Sequence, residues 1–421
     1  MTAGPAVAGA RAVCRRRADC RLCGSTALTQ VLSLTPTPPA NAFVASPDAA
    51  QTCFPLDVMM CGECAHVQLA HVVDPEVLFA DYVYVSGTSP SFVRHFEAYA
   101  KSMIEFARLR PGDLVLDIGS NDGTLLRVFQ RAGMKVLGVD PAREIARSAT
   151  AAGIETFGRF FTPGLAAEIR QTRGTARAIT ANNVFAHVDD LAAVVEGVRT
   201  LLAPDGVFAF EVSYLADVFE HTLFDTIYHE HLDYHAVAPL VGFLSRHGLA
   251  LVAVERVPTH GGSIRGLVRH AAAAASIEPS VRALVDGEKA LGILEADGLR
   301  RFGARIDRVR DELTGRVRRL KGDGRTLAGY GAPAKVTTLM HHFRLGTDVV
   351  DFIVDDSPLK QGLYTPGLHV PVLPAAAIEE KRPDYLVIFA WNFAEPIIAK
   401  QQAFARRGGK FIIPLPEVSV R

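Results

Sequence analysis

The chain predicts an α/β protein: an N-terminal zinc-binding module followed by two doubly wound α/β domains. Three observations predict this. All six cysteines (Cys14, Cys20, Cys23, Cys53, Cys61 and Cys64) crowd into the N-terminal end of a 421-residue chain. Short β-rich runs then alternate with helix-length segments over residues 113–270, and a second alternation of the same kind covers residues 326–413. Strands spaced by helices imply right-handed βαβ crossovers, and therefore a largely parallel sheet covered on both faces. At roughly 100 to 200 residues per domain the length accommodates three units, which we place at 1–75, 76–275 and 276–421.

The cysteine spacing points to a metal. In a reducing compartment, clustered cysteines are more readily metal ligands than disulfides. Cys20-x-x-Cys23 and Cys61-x-x-Cys64 are two knuckles separated by enough chain to fold back, which offers four thiolates to one zinc ion. Four protein ligands leave no open position for water or substrate, so the zinc is expected to be structural. Cys14 and Cys53 are left over, and the prolines of residues 35–41 predict an irregular loop between the knuckles.

In the middle segment the β-rich runs fall at residues 114–116, 135–139, 178–181, 207–211 and 249–254. Residues 302, 306, 309, 313, 317 and 320 are apolar at spacings of three and four, which predicts an amphipathic helix linking two bodies. The C-terminal runs fall at 326–330, 349–354, 385–389 and 410–413.

Composition narrows the function. With 45 basic and 45 acidic residues the formal net charge is zero, which argues against a nucleic-acid partner or a polybasic membrane surface. The longest apolar runs, such as residues 271–275, fall far below the ~20 residues of a membrane-spanning helix. A cytoplasmic, monomeric or weakly associated small-molecule enzyme is expected.

The run 115–118 ends in a glycine turn, Asp117-Ile118-Gly119-Ser120-Asn121-Asp122-Gly123. A dinucleotide loop places three glycines under a pyrophosphate. Here Ser120 and Asn121 interrupt that pattern and Asp122 adds negative charge, so a cationic, phosphate-free cofactor such as S-adenosylmethionine suits the loop better. Asp117 is a candidate partner for its amino group. Asp140 follows Asp117 by 23 residues, close to the ~20 expected for an acid that binds ribose hydroxyls at the tip of the second strand; its alternative role is to cap the next helix. Asn182, Asn183 and His187 follow the third run, at the carboxyl edge where such sheets bind ligands.

The densest chemical cluster is Tyr228-His229-Glu230-His231-Leu232-Asp233-Tyr234-His235. Its competing reading is a metal hydrolase, but a His-Glu-x-x-His helix would need its second histidine where Asp233 stands. In the C-terminal domain, Gly329-Tyr330-Gly331-Ala332-Pro333-Ala334-Lys335 closes a strand and opens a helix, so its backbone N–H groups and Lys335 are candidates to cradle a diphosphate. Lys360 lies in the matching loop after the next strand. His260-Gly261-Gly262-Ser263-Ile264-Arg265 reads as a further polar loop of undetermined role.

Taken in order, Cys20-x-x-Cys23, Pro39-Ala40-Asn41-Ala42-Phe43, Cys61-x-x-Cys64, Tyr82-Val83-Tyr84, the Asp117–Gly123 loop, Tyr228-His229-Glu230-His231 and the Gly329–Lys335 loop resemble the C-methyltransferases that act on TDP-4-keto deoxysugars in antibiotic biosynthesis. The resemblance runs from about residue 14 to 416. It implies a middle Rossmann-like domain for S-adenosylmethionine, a C-terminal Rossmann-like domain that helps hold the nucleotide sugar, and methylation at C-3 beside a C-4 ketone. By position it makes His231 the base, with Glu230, Tyr228, Tyr84 and His187 lining the site. Gly87-Thr88 departs from a serine-rich continuation, which puts the sugar contacts in doubt more than the reaction. A neutral histidine, with an ordinary pKa near 6.5, suits removal of an acidic C–H, with Glu230 or another acid to fix its tautomer and the phenols of Tyr84 and Tyr228 to donate to the developing enolate or orient the ring.

Overall fold

The computed structural model describes residues 13–79 and 90–421. The Tyr82–Tyr84 motif, and with it Tyr84, lies outside the described residues, as does Gly87-Thr88.

The N-terminal module is built on antiparallel strands. Leu28–Thr37 pairs with Phe54–Cys61, which pairs with Val67–Leu69. The proline-rich stretch is less irregular than expected, because the first of these strands runs through Pro36 to Thr37. A fourth strand comes from far along the chain: Asp233–Tyr234 lies antiparallel to Val67–Leu69. The His-rich segment is thereby stitched onto the sheet of the cysteine module.

The middle domain holds a seven-stranded sheet in the order Leu249–Val257, Ser263–His270, Leu202–Ser213, Ala176–Asn182, Leu114–Ile118, Lys135–Val139, Thr156–Phe157. Both faces are covered, which is why these strands read as continuous apolar runs. Val115, Ala178, Val207 and Ala209 pack toward Tyr99, Met103, Leu126 and Phe129. The alternate residues Leu116, Ile179, Phe208 and Phe210 face Phe185 and Val195 on the other side. Of the stretch His260–Arg265, expected to be a polar loop, only its start is one; Ser263, Ile264 and Arg265 open the strand Ser263–His270, antiparallel to both neighbours. Its polar appearance comes from Ser263 and Arg265, which are buried by partners that only the fold supplies.

The linker comprises two helices, Pro279–Leu291 and Ala296–Gly322, parted at Gly292, whose φ of 70° is a left-handed cap. Leu299, Phe302, Ile306, Val309, Leu313 and Val317 form the buried stripe of the longer one, which packs on the N-terminal strand Leu28–Thr37. The C-terminal domain is a six-stranded sheet in the order Val372–Leu373, Phe352–Val354, Leu327–Tyr330, Tyr385–Ile388, Lys410–Ile413, Ser419–Val420, parallel but for the last pair. Among the described residues no helix is long and apolar enough to cross a membrane.

Candidate active site

The four knuckle cysteines meet as the spacing predicts. Their sulfurs lie within 4.8 Å of one another, with Cys20 Sγ 3.6 Å from Cys64 Sγ and Cys23 Sγ 3.5 Å from Cys61 Sγ. A tetrahedral zinc with ~2.3 Å bonds places sulfurs about 3.8 Å apart, so the cluster fits that ion. Cys14 and Cys53 lie outside it, one half-buried and the other exposed.

At the carboxyl edge of the middle sheet the glycine loop makes a close turn. Gly119 has φ of 72°, and a Cβ there would sit 2.4 Å from Val184 Cγ2, so only glycine fits. Asn121 and Asn183 also take left-handed conformations, at φ of 49° and 55°. Asp140 Oδ2 accepts the Asn121 N–H and Oδ1 accepts the Ala142 N–H, both at 2.8 Å. Asp140 therefore ties the loop to the next helix, and each oxygen keeps a second lone pair for a hydroxyl. Asp117 is buried and accepts a 2.6 Å hydrogen bond from Thr180 Oγ1. Burial pushes its carboxyl up to about 7, the Thr180 bond opposing and the Asp140 charge adding to the rise. A cation beside it would favour the ionised form. This donor set accommodates a cationic nucleoside cofactor.

The histidines of the second cluster scatter. His229 Nε2 meets the Phe54 carbonyl at 3.1 Å and His235 Nε2 meets the Phe185 carbonyl at 3.2 Å, and burial pushes both rings down to about 4. His221 is half exposed beside Asp217. They do not converge on one point, and among the described residues the cysteine cluster is the sole metal-competent group.

His231 is held differently. Its Nδ1–H donates to the Thr226 carbonyl at 2.7 Å, which leaves Nε2 as the acceptor, and the Tyr228 hydroxyl donates to it at 3.0 Å. The His187 ring stands edge-on to it, with centroids 4.9 Å apart. Glu230 does not orient His231 as expected. Its Oε1 accepts from Asn41 Nδ2 at 3.1 Å, and burial pushes its carboxyl up to about 7, against that bond. The tautomer is set instead by a backbone carbonyl, which no side-chain pattern reveals. Asn41 belongs to a motif noted in the sequence, but its partner was not foreseeable.

The C-terminal loop corrects a second expectation. Two backbone N–H groups proposed for a diphosphate are already taken: Gly331 N donates to the Val354 carbonyl at 2.7 Å and Ala332 N to Asp355 Oδ2 at 2.6 Å. Lys360 Nζ is turned to the Ala332 carbonyl at 2.8 Å. Lys335 Nζ lies 3.6 Å from the Trp391 ring centroid and donates to Asn392 Oδ1 at 3.0 Å. Burial lowers its ammonium, the Asp225 charge opposing. Trp391 Nε1 in turn donates to Asp225 Oδ2 at 2.6 Å, and Asp225 adjoins Thr226, the residue that orients His231. The C-terminal loops and the His231 segment are thus brought together.

Sequence reasoning missed one further cluster. Buried Glu211 accepts from His95, Thr259 and Arg265, at 2.8, 2.9 and 2.9 Å. Burial raises its carboxyl, but these partners outweigh burial and hold it below the usual range. An acid closing an apolar strand run was the available signal.

The families that the chain matches make it an S-adenosylmethionine-dependent methyltransferase with a zinc-binding domain. Three family descriptions match successive parts of the chain: a zinc binding domain over residues 20–79, a methyltransferase domain over 92–254, and a C-methyltransferase C-terminal domain over 258–416. C-methyltransferase NovU of Streptomyces niveus is 39% identical over 404 residues, 96% of each chain, and the chain belongs to this C-methyltransferase family. Partial structural likenesses include magnesium protoporphyrin IX methyltransferase ChlM from Synechocystis with bound SAM (16% identity, 42% of this chain, 79% of that one, TM-score 0.32). A second is an S-adenosylmethionine-dependent methyltransferase from Clostridium acetobutylicum (15% identity, 46% and 94%, TM-score 0.34).

Proposed function

We propose that the chain methylates C-3 of a TDP-linked 4-keto deoxyhexose, with His231 as the base. The observation that carries this is the bond from His231 Nδ1–H to the Thr226 carbonyl, which presents Nε2 as a proton acceptor. A C-methyltransferase needs such a group, because an acidic C–H must be broken before carbon becomes a nucleophile. The proton passes from C-3 to Nε2, the C–H electron pair moves into the ring, and the ketone oxygen takes the negative charge. Tyr228, now on Nε2, transfers its hydrogen bond to that oxygen, His187 stands beside His231, and Tyr84 is assigned to the site from the resemblance alone. Glu230, neutral over much of the pH range below 7, adds a donor. When bound, S-adenosylmethionine supplies the electrophilic methyl group; Asp117, Gly119, Asn121, Gly123, Asp140 and Asn183 hold it. Lys335 is the cation for the nucleotide diphosphate, since the Gly331 N–H is engaged by the Val354 carbonyl and Lys360 Nζ by the Ala332 carbonyl. Residues 1–75, 76–275 and 276–421 act as the zinc, cofactor and nucleotide-sugar units.

The test is a panel of TDP-4-keto sugars with S-adenosylmethionine, the new carbon being located by NMR. In deuterated water, with substrate and a non-reactive cofactor analogue, the wild type is expected to exchange the C-3 hydrogen. His231→Ala should bind both ligands and lose exchange and methyl transfer together. Exchange at the wild-type rate in that variant moves the base elsewhere.

A further inference from the structure

Arg21 stands next to the zinc-ligating Cys20, and its side chain is fully buried. Its Nε donates to Asp189 Oδ1 at 3.0 Å and lies 4.0 Å from Asp233 Oδ2. Its Nη1 donates to the Leu69 carbonyl at 2.9 Å and the Leu232 carbonyl at 3.4 Å. Asp189 is two residues beyond His187, and Asp233 is two residues beyond His231. These are the two histidines whose rings meet edge-on. Arg15, in the short strand Cys14–Arg16, and Arg17, just after it, reach the same Asp189.

The second knuckle grips the same place. His66, two residues beyond Cys64, meets Asp233 Oδ1 through Nε2 at 2.6 Å, with both side chains fully buried. The Leu69 N–H donates to the Leu232 carbonyl at 2.8 Å, and the Leu232 N–H donates to the Ala186 carbonyl at 2.6 Å. Each cysteine knuckle therefore sends one buried polar side chain, and their shared sheet one strand, into the chain segments that carry His187 and His231.

A buried arginine between two carboxylates is a poor way to gain stability, since desolvation offsets the attraction. Its planar fork is a good way to fix the spacing of two chains. We propose that Arg21, acting through Asp189 and Asp233, is a positioning residue that sets the His187–His231 ring contact from the zinc module. The proposal rests on the reading of His231 as the base. The module then serves the reaction as well as the fold, because it holds one wall of the site in register with the cofactor edge.

The test uses full-length protein with Arg21→Lys, Asp189→Asn and Asp233→Asn. Zinc content, S-adenosylmethionine affinity, and kcat and KM on the TDP-4-keto sugar turned over in the panel above are measured. Long-range proton–nitrogen correlations of the ¹⁵N-histidine rings report the His231 tautomer. With zinc at one per chain and cofactor affinity unchanged, Arg21→Lys is expected to lower kcat about 100-fold at constant KM, the scale of a misplaced reacting group. His231 should also depart from the single Nδ1–H tautomer. The aspartate variants should move both readouts in the same direction, and they decide the matter if Arg21→Lys does not fold. Wild-type kcat with unshifted His231 signals overturns the proposal. So does a loss of kcat that merely follows lost zinc or weakened cofactor binding. His231→Gln with wild-type turnover refutes the base instead and leaves the ring signals to decide the positioning role.

Discussion

Asp140 is held by two backbone N–H groups at the end of its strand. It caps the turn after its strand through Ala142 and pins the glycine loop through Asn121, while its remaining lone pairs suit a ribose. Asp140→Ala is expected to weaken S-adenosylmethionine binding by about 1.5 to 3 kcal/mol, or roughly 10- to 100-fold in dissociation constant; calorimetry checks this, and an unchanged constant removes Asp140 from the cofactor site. Asp117 gives a pH signature. Because its carboxyl is pushed up to about 7, the folded protein holds that proton more tightly than the unfolded chain does. Its stabilising contribution is therefore present below the ordinary carboxylate pKa and lost as pH rises through 7. A cationic ligand favours the ionised form, so cofactor affinity should rise as pH goes from about 6 to about 8, with proton release on binding. Calorimetry in buffers of different ionisation enthalpy measures the proton, and Asp117→Asn should flatten the profile.

The elements that shape the site are a turn and a pair of knuckles. Gly119→Ala meets both a left-handed backbone and a Val184 methyl 2.4 Å from the new Cβ. It should abolish cofactor binding and lower the melting temperature, the backbone alone costing about 1 to 2 kcal/mol. A normal titration with S-adenosylmethionine would contradict that geometry. The knuckles close a four-sulfur cluster, so one zinc per chain is expected and its binding energy is part of folding. Cys20→Ala should bind well under one equivalent and lose the N-terminal sheet. Metal analysis with circular dichroism checks this; far less than one zinc in a still-folded wild-type module would refute it.

Across the whole molecule, the C-terminal domain reaches the His231 segment through Trp391 Nε1 and Asp225 Oδ2, and again through Thr338 Oγ1, which donates to the Ile227 carbonyl at 2.7 Å. Removing the indole donor strands a buried carboxylate, a loss of about 1 to 3 kcal/mol. Trp391→Phe should therefore melt earlier than wild type. Adding Asp225→Asn should recover part of the loss, since the amide carries no charge to desolvate. A double-mutant cycle of melting curves tests the coupling; strict additivity would mean that the bond contributes nothing across the interface.

The sequence by itself determined the order of units and the residues at strand ends. Apolar runs covered on both faces need no knowledge of their neighbours to be read as strands, and paired Cys-x-x-Cys knuckles carry their own geometry. The positions of Asp117, Gly119 and Asp140 at the carboxyl ends of two adjacent strands were legible because one βαβ unit sets them at fixed offsets. Only the tertiary structure decided the partners. Glu230 pairs with Asn41, His231 with the Thr226 carbonyl, and Ala332 N with Asp355. Ser263–His270 pairs as a strand on both sides, and Glu211 neutralises the Arg265 buried within it. These contacts join residues distant in the chain or engage backbone atoms common to all residue types, so periodicity and spacing hold no trace of them. The same reason hid the strand Asp233–Tyr234 in the zinc module's sheet, the link through which the module reaches the site.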